Sequence, residues 1–277
     1  MTDIQKSTPL QTVPAAKIKR PKLSCFLIIK DEADRIEACL RELAGWVDQL
    51  VILDSGSTDG TVEIAQKYSA EVHCTDWPGY GPQRNRALSK CEYDWVLNID
   101  ADEVFSQALR DEIDATLADP NLDANLIKIP WLTYFMGRPL RRGRYTAPQG
   151  KLFFKKGAMF QNSQVHETLI MEEKRIKVLK SSLVHHSWRT YAHAQEKHLK
   201  YASFIAQEKF AKGKRANGIS FAVVRFFVDF LQQYIFRGGI LDGPQGFLMA
   251  VVLGQYAFHK YAALWDLTLK DKAEKST

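Results

Sequence analysis

Between residues 22 and 118, short strand-like runs alternate with helix-patterned stretches, and this alternation limits the fold more than any other feature of the 277-residue chain. Ser24–Ile29, Leu50–Leu53, Glu71–Cys74 and Trp95–Ile99 have the length and boundaries of strands. Between them Ile36, Leu40 and Leu43, then Val62, Ala65 and Tyr68, recur at helical spacing, and Gln83–Lys90 reads as a short helix. After Ser106, Leu109, Ile113 and Leu117 fall on one helix face. This rhythm predicts an α/β fold with a mostly parallel, Rossmann-like sheet flanked by helices.

In such a sheet ligands bind beyond the carboxyl ends of the strands. Acidic residues follow three of the runs: Asp31-Glu32 after the first, Asp54 after the second, and Asp100-Ala101-Asp102-Glu103 after the fourth. Parallel strands bring all three to one crevice. A single such cluster is ordinary strand-end capping; three in succession point to a site. An Asp-x-Asp pair delivered by a strand offers hard oxygen ligands, which suit Mg²⁺ or Mn²⁺ held together with substrate phosphates. Such an ion neutralises charge on a departing diphosphate. The chain has neither a G-x-x-x-x-G-K-[ST] loop nor a G-x-G-x-x-G turn after the first strand. That disfavours a P-loop NTPase and a dinucleotide-dependent oxidoreductase. Arg84 or Arg86 would assist with the phosphates.

Later stretches are less regular. Ile127–Trp131, Lys151–Phe154 and Lys177–Leu179 read as strands, with a basic aromatic loop among them that carries Arg138, Arg141, Arg142, Arg144 and Tyr145. Tyr191–Lys212 reads as a helix. Ile219–Phe236 is apolar almost all round, and Gly246–Phe258 is apolar except for Gln255. These helices form an apolar to amphipathic appendage that either packs on the domain or a second subunit, or lies in a membrane interface. The expected division is a disordered tail over 1–21, a catalytic domain over 22–190 and a C-terminal helical region over 191–277. The polar N-terminal stretch lacks the apolar core of a secretory signal, so a cytoplasmic setting is expected.

The net charge of +6 suits an acidic partner. Nucleic acid is disfavoured, because the basic residues do not interleave with aromatics in any recognisable binding module. The four cysteines form no C-x-x-C pair; Cys25 and Cys74 are expected as buried free thiols.

Four segments in order carry a resemblance: Ser24–Glu32, Asp54–Thr61, Gln83–Leu88 and Asn98–Glu103. Together they resemble the signature of family 2 glycosyltransferases, which have the GT-A fold. The resemblance runs from about Leu23 to His186. Gln164-Val165-His166-Glu167 is similar to the V-H-E element of bacterial lipopolysaccharide inner-core enzymes, and within that subgroup the chain most resembles the glucosyltransferases that act on heptose.

The resemblance implies an inverting, metal-dependent transfer of a hexose from a UDP-sugar donor to a lipopolysaccharide-core acceptor, by an enzyme held on the inner face of the inner membrane. Lys30, Glu32, Asp54, Arg84, Asp100, Ala101 and Asp102 would bind the nucleotide-sugar. Glu32 and Asp54 would contact uridine, with Asp31 standing where the family often has Asn. Asp102 would be the main metal ligand and Asp100 would sit by the ribose and metal. Glu167 would be the catalytic base, with His166 as the alternative. Arg141, Arg142, Arg144 and His166 are candidate acceptor-binding residues. A ligand role for His185 or His186 and sugar stacking by Trp131 compete with structural roles. Rival readings are the same fold with another UDP-sugar donor or a polyprenyl-linked or capsule acceptor and, from another class, a non-catalytic membrane-bound scaffold.

Overall fold

The computed structural model describes residues 19–69, 71–161 and 168–275. The first half follows the alternation read from the sequence: β1 (Leu23–Ile29), α1 (Ile36–Leu43), β2 (Gln49–Asp54), α2 (Thr61–Gln66), β3 (Glu71–Cys74), α3 (Tyr80–Lys90), β4 (Trp95–Asn98), β5 (Glu103–Val104) and α4 (Gln107–Ala118). Eight short strands follow: β6 (Leu126–Ile129), β7 (Trp131–Phe135), β8 (Arg138–Leu140), β9 (Gln149–Phe154), β10 (Met159–Phe160), β11 (Leu169–Ile170), β12 (Ile176–Val178) and β13 (Leu183–His185). Three helices close the chain: α5 (Tyr191–Ala211), α6 (Ile219–Leu231) and α7 (Gly243–Glu274).

The main sheet has seven strands in the order β12-β6-β9-β4-β1-β2-β3. Strand β9 runs antiparallel to both neighbours, β4 and β6, while the other pairings are parallel. Its first residues therefore lie at the edge where the parallel strands end. Ile36, Cys39, Leu40 and Leu43 of α1 and Leu109, Ile113 and Leu117 of α4 are buried in one apolar cluster with residues of the sheet. Ala87 and Leu88 of α3 belong to a second cluster with Phe26, Val51 and Phe153. Helices thus cover both faces, as long apolar strands require. Ser106 caps α4 by accepting from Leu109 N at 3.2 Å.

A smaller sheet, β5-β13-β7-β8, stands at the carboxyl edge. His185 of β13 is in register with Glu103 of β5 and Thr133 of β7. The residue after the Asp-x-Asp pair is thereby tied to a strand some eighty positions later.

The chain departs from expectation in three places. Arg20, expected in the loose tail, is anchored: its guanidinium pairs with Asp48 at 2.7 Å and with Asp114, and donates to Trp46 O at 2.6 Å. Cys74 is exposed, because β3 is the edge strand, whereas Cys25, Cys39 and Cys91 are buried. The C-terminal helices differ from one another. Helix α7 packs into the domain: Met249, Val252 and Leu253 share a cluster with Phe135, Leu140 and Ala194. Helix α6 lies on α7, where a Cβ on Gly254 would come within 3.0 Å of the Phe226 ring, and turns its other side outward. Phe227 is 56% exposed and Phe236 81%.

Candidate active site

A cavity of about 760 Å³ opens at the carboxyl edge of the main sheet. The ends of β1 and β4 and helix α3 supply Ile28, Glu32, Arg84, Asn98, Asp100, Ala101 and Asp102 to its wall. Later elements supply further lining, including Lys128, Trp131, Arg144, Lys151, His185, Lys197 and Tyr256. The region read as an appendage therefore completes the site.

Asp100 is fully engaged. Its Oδ1 accepts from Arg84 Nη2 at 2.8 Å and its Oδ2 from Lys151 Nζ at 2.8 Å. Lys151 also meets Glu103 Oε2 at 2.8 Å, and Glu103 accepts from Trp131 Nε1 at 2.6 Å and from Asp100 N at 2.9 Å. Arg84 donates additionally to Asn98 Oδ1. Burial disfavours charge on Asp100, but the Arg84 and Lys151 cations outweigh it and hold the carboxyl well below the usual range. Burial also opposes charge on Lys151, and the two carboxylates more than restore it, raising its pKa. Burial dominates at Glu103 and pushes its pKa up.

Asp102 is different. Its Oδ2 lies 3.5 Å from His185 Nε2 and 3.6 Å from Arg35 Nη1, while Oδ1 is buried with no hydrogen-bond partner among the described residues. Burial works against its ionised form, yet His185 and Lys197 bring its pKa below normal. His185 is held by Ser187 Oγ at 3.2 Å and stacks on Trp131 at 4.2 Å. An orphaned buried carboxylate oxygen is costly unless something completes it. A divalent cation fits here: Asp102 supplies a hard oxygen and His185 stands beside it, leaving further positions to water and phosphate. Asp100, expected to share the metal, has both oxygens committed to cations.

The other expected residues divide. Glu32 lines the cavity; its Oε2 meets Arg35 at 3.1 Å and Arg189 at 3.0 Å, and burial raises its pKa. Asp31 has φ of 52°, a conformation Asn and Asp tolerate, and accepts from Thr58 N at 2.8 Å. Either residue type serves that turn. Asp54 is 1% exposed and accepts from Gly56 N at 2.9 Å and Ser57 N at 3.0 Å, so it is a turn-forming residue behind the cavity wall. Lys30 is exposed and does not line the cavity. Arg144 lines it; Arg141 and Arg142 do not, and their backbone N–H groups bond to Asp242 at 3.1 and 3.0 Å. His166 and Glu167 lie outside the described residues. Trp131 serves as a support for His185 and Glu103.

Lys151, Lys128 and Lys197 were missed by sequence reasoning. A lone lysine opening the apolar run Lys151–Phe154 was the available signal for the first.

The profile described as Glycosyl transferase family 2 matches residues 24–176. The chain belongs to glycosyltransferase family 2. An uncharacterized glycosyltransferase of Rickettsia prowazekii is 32% identical to this transferase over 263 residues, covering 91% of this chain and 89% of its own. The lipopolysaccharide core biosynthesis glycosyltransferase LpsC of Rhizobium meliloti is 30% identical over 268 residues, covering 90% and 94%. Among solved structures, S. aureus TarS 1-349 in complex with UDP-GlcNAc is similar at TM-score 0.47 and 16% identity, covering 91% of this chain and 92% of that one. The GT-A-type sheet is the fold of this family 2 glycosyltransferase, with the Asp-x-Asp pair following β4 and lining the cavity.

Proposed function

We propose that this glycosyltransferase moves a hexose, glucose by the resemblance, from a UDP-sugar to a heptose of the lipopolysaccharide inner core, with inversion and divalent-metal assistance. The observation that carries the donor half is the contrast within the Asp-x-Asp pair. Asp100 is locked between Arg84 and Lys151, while Asp102 keeps one buried oxygen without a partner. The acceptor half is supported by the similarity to LpsC along nearly the whole of both chains.

In this reading Asp102, with His185 beside it, would hold Mg²⁺ or Mn²⁺, which when bound neutralises charge on the diphosphate leaving group. Arg84 and Lys151 fix Asp100 rigidly at the donor side, so that wall is preorganised before substrate arrives. Glu167 takes the proton from the acceptor hydroxyl as it attacks the anomeric carbon from the face opposite the diphosphate. His166 is the alternative base. Removal of the gene should take one hexose from the inner core, read by mass analysis of the lipopolysaccharide; an unchanged core would overturn the acceptor assignment.

A location at the cytoplasmic face of the inner membrane belongs to the same proposal. Ile219–Phe236 is long and apolar enough to cross a membrane by length and composition, yet it lies along α7 with its outer side bare. Exposed Ile240 and Leu241 extend that apolar surface, and Arg141 and Arg142 flank it through their bonds to Asp242. Apolar side chains beside arginines suit peripheral seating on an anionic leaflet.

A further inference from the structure

The cavity carries more positive charge than its carboxylates balance. Glu32 is met by Arg35 and Arg189, and Asp100 by Arg84 and Lys151. Besides Lys174, whose ammonium donates to Leu169 O at 2.6 Å, three further cations line the cavity without a carboxylate in ion-pair reach among the described residues: Lys128 of β6, Arg144 of the loop before β9, and Lys197 of α5. All three belong to elements of the second half of the chain.

The loop that carries Arg144 is built rather than loose. Arg144 N donates to Gln233 Oε1 at 3.0 Å, and Gln233 is buried. Gly143, at φ of 94°, lets the loop approach so closely that a Cβ there would meet Gln233 Nε2 at 1.9 Å. Lys197 precedes His198, whose Nε2 lies 2.6 Å from Tyr145 Oη, so α5 and the Arg144 loop are joined beside the two cations. Burial first, then the charges of Lys197 and Arg144, lower the pKa of His198, as expected if both act on one region. Cations from three separate elements line one cavity; Lys197 favours the ionised form of Asp102, and with no carboxylate in ion-pair reach of any of the three among the described residues, they suit an anion from outside.

We infer that Lys128, Arg144 and Lys197 form an anion subsite for the acceptor, so that the acceptor sugar carries a phosphate or carboxylate close to the hydroxyl that is glycosylated. This rests on the reading that the UDP-sugar is held at Asp100 and Asp102. Tyr256 and Trp188 also line the cavity.

Inorganic phosphate and acetate, titrated calorimetrically into the full chain saturated with UDP and Mg²⁺, test the subsite without an acceptor in hand. One or both anions should bind, and Lys197→Gln and Arg144→Gln should each weaken that binding about tenfold, the worth of one charge-assisted hydrogen bond. Lys200→Gln, one turn away on the exposed side of α5, should leave it unchanged. Stronger, variant-sensitive binding of phosphate points to a phosphorylated acceptor, and of acetate to a carboxylated one. Anion binding that is absent, or indifferent to both cavity substitutions, overturns the subsite. A separate UDP titration of the wild type and of each variant reports on the donor reading: wild type that fails to bind UDP overturns that reading, whereas UDP binding retained without variant-sensitive anion binding overturns the subsite alone.

Discussion

Lys151 Nζ lies 2.8 Å from Asp100 Oδ2, and a buried lysine of β9 thus secures the first carboxylate of the Asp-x-Asp pair. The same ammonium serves Glu103, which is fully buried. Lysine is there because a buried and a half-buried carboxylate next to one arginine need a second cation.

Lys151→Met should therefore destabilise the protein strongly. Removing one partner from a buried ion-pair network strands the remaining charges, at a cost of about 3–5 kcal/mol. Urea unfolding followed by circular dichroism measures this. A loss below about 1 kcal/mol would mean that the carboxylates find other partners or take up protons at little cost.

His198 predicts a dependence of stability on pH. Its Nδ1 donates to Ala194 O at 2.6 Å, so Nε2 of the neutral ring accepts from Tyr145 Oη. Burial, with Lys197 and Arg144, lowers its pKa from the ordinary 6.5. Below pH 6.5 the unfolded chain then binds a proton that the folded chain resists, so stability falls as the pH drops from about 6.5 toward the folded pKa. His198→Gln should flatten that part of a plot of urea midpoint against pH; an unaltered slope would assign the effect elsewhere.

Glu167→Gln tests the proposed base. Transfer should drop by about 10²–10⁴, the usual contribution of a positioned base, while UDP affinity stays near the wild-type value. A variant that transfers normally, paired with an inactive His166→Gln, would move the role to His166.

The apolar outer side of α6 predicts membrane seating. Phe227→Ser together with Phe236→Ser, both well exposed, should release the protein from vesicles of anionic lipid in a sedimentation assay and leave UDP affinity unchanged. Retention of the double variant on vesicles would contradict it.

The strand–helix rhythm was legible because β1, β2 and β4 are buried parallel strands, with β3 at the edge, and their helices obey simple periodicity. Glu32, Arg84, Asp100, Ala101 and Asp102 were legible for the same reason: parallel strands deliver their ends to one edge. Lys151 was not, since a lysine opening a parallel strand would lie at the far edge; it reaches the site because β9 runs the other way. Asp54 is buried and accepts from the backbone of its own turn, which a strand-end carboxylate read from the sequence does not reveal. Lys197 and Tyr256 come from helices that sequence pattern separates from the catalytic domain. Their approach depends on how α5 and α7 pack on β7 and β8, which periodicity along the chain does not encode.

Metal-assisted transfer of a hexose to heptose at the Asp100/Asp102 edge is tested with purified protein incubated with UDP-glucose, Mg²⁺ or Mn²⁺ and a heptose-terminated inner-core oligosaccharide, the product being followed by mass spectrometry. The wild type should add one hexose, and transfer should be lost on chelation and reduced about a hundredfold or more in Asp102→Asn, whose fold should persist. Full transfer by Asp102→Asn with the metal chelated would contradict it.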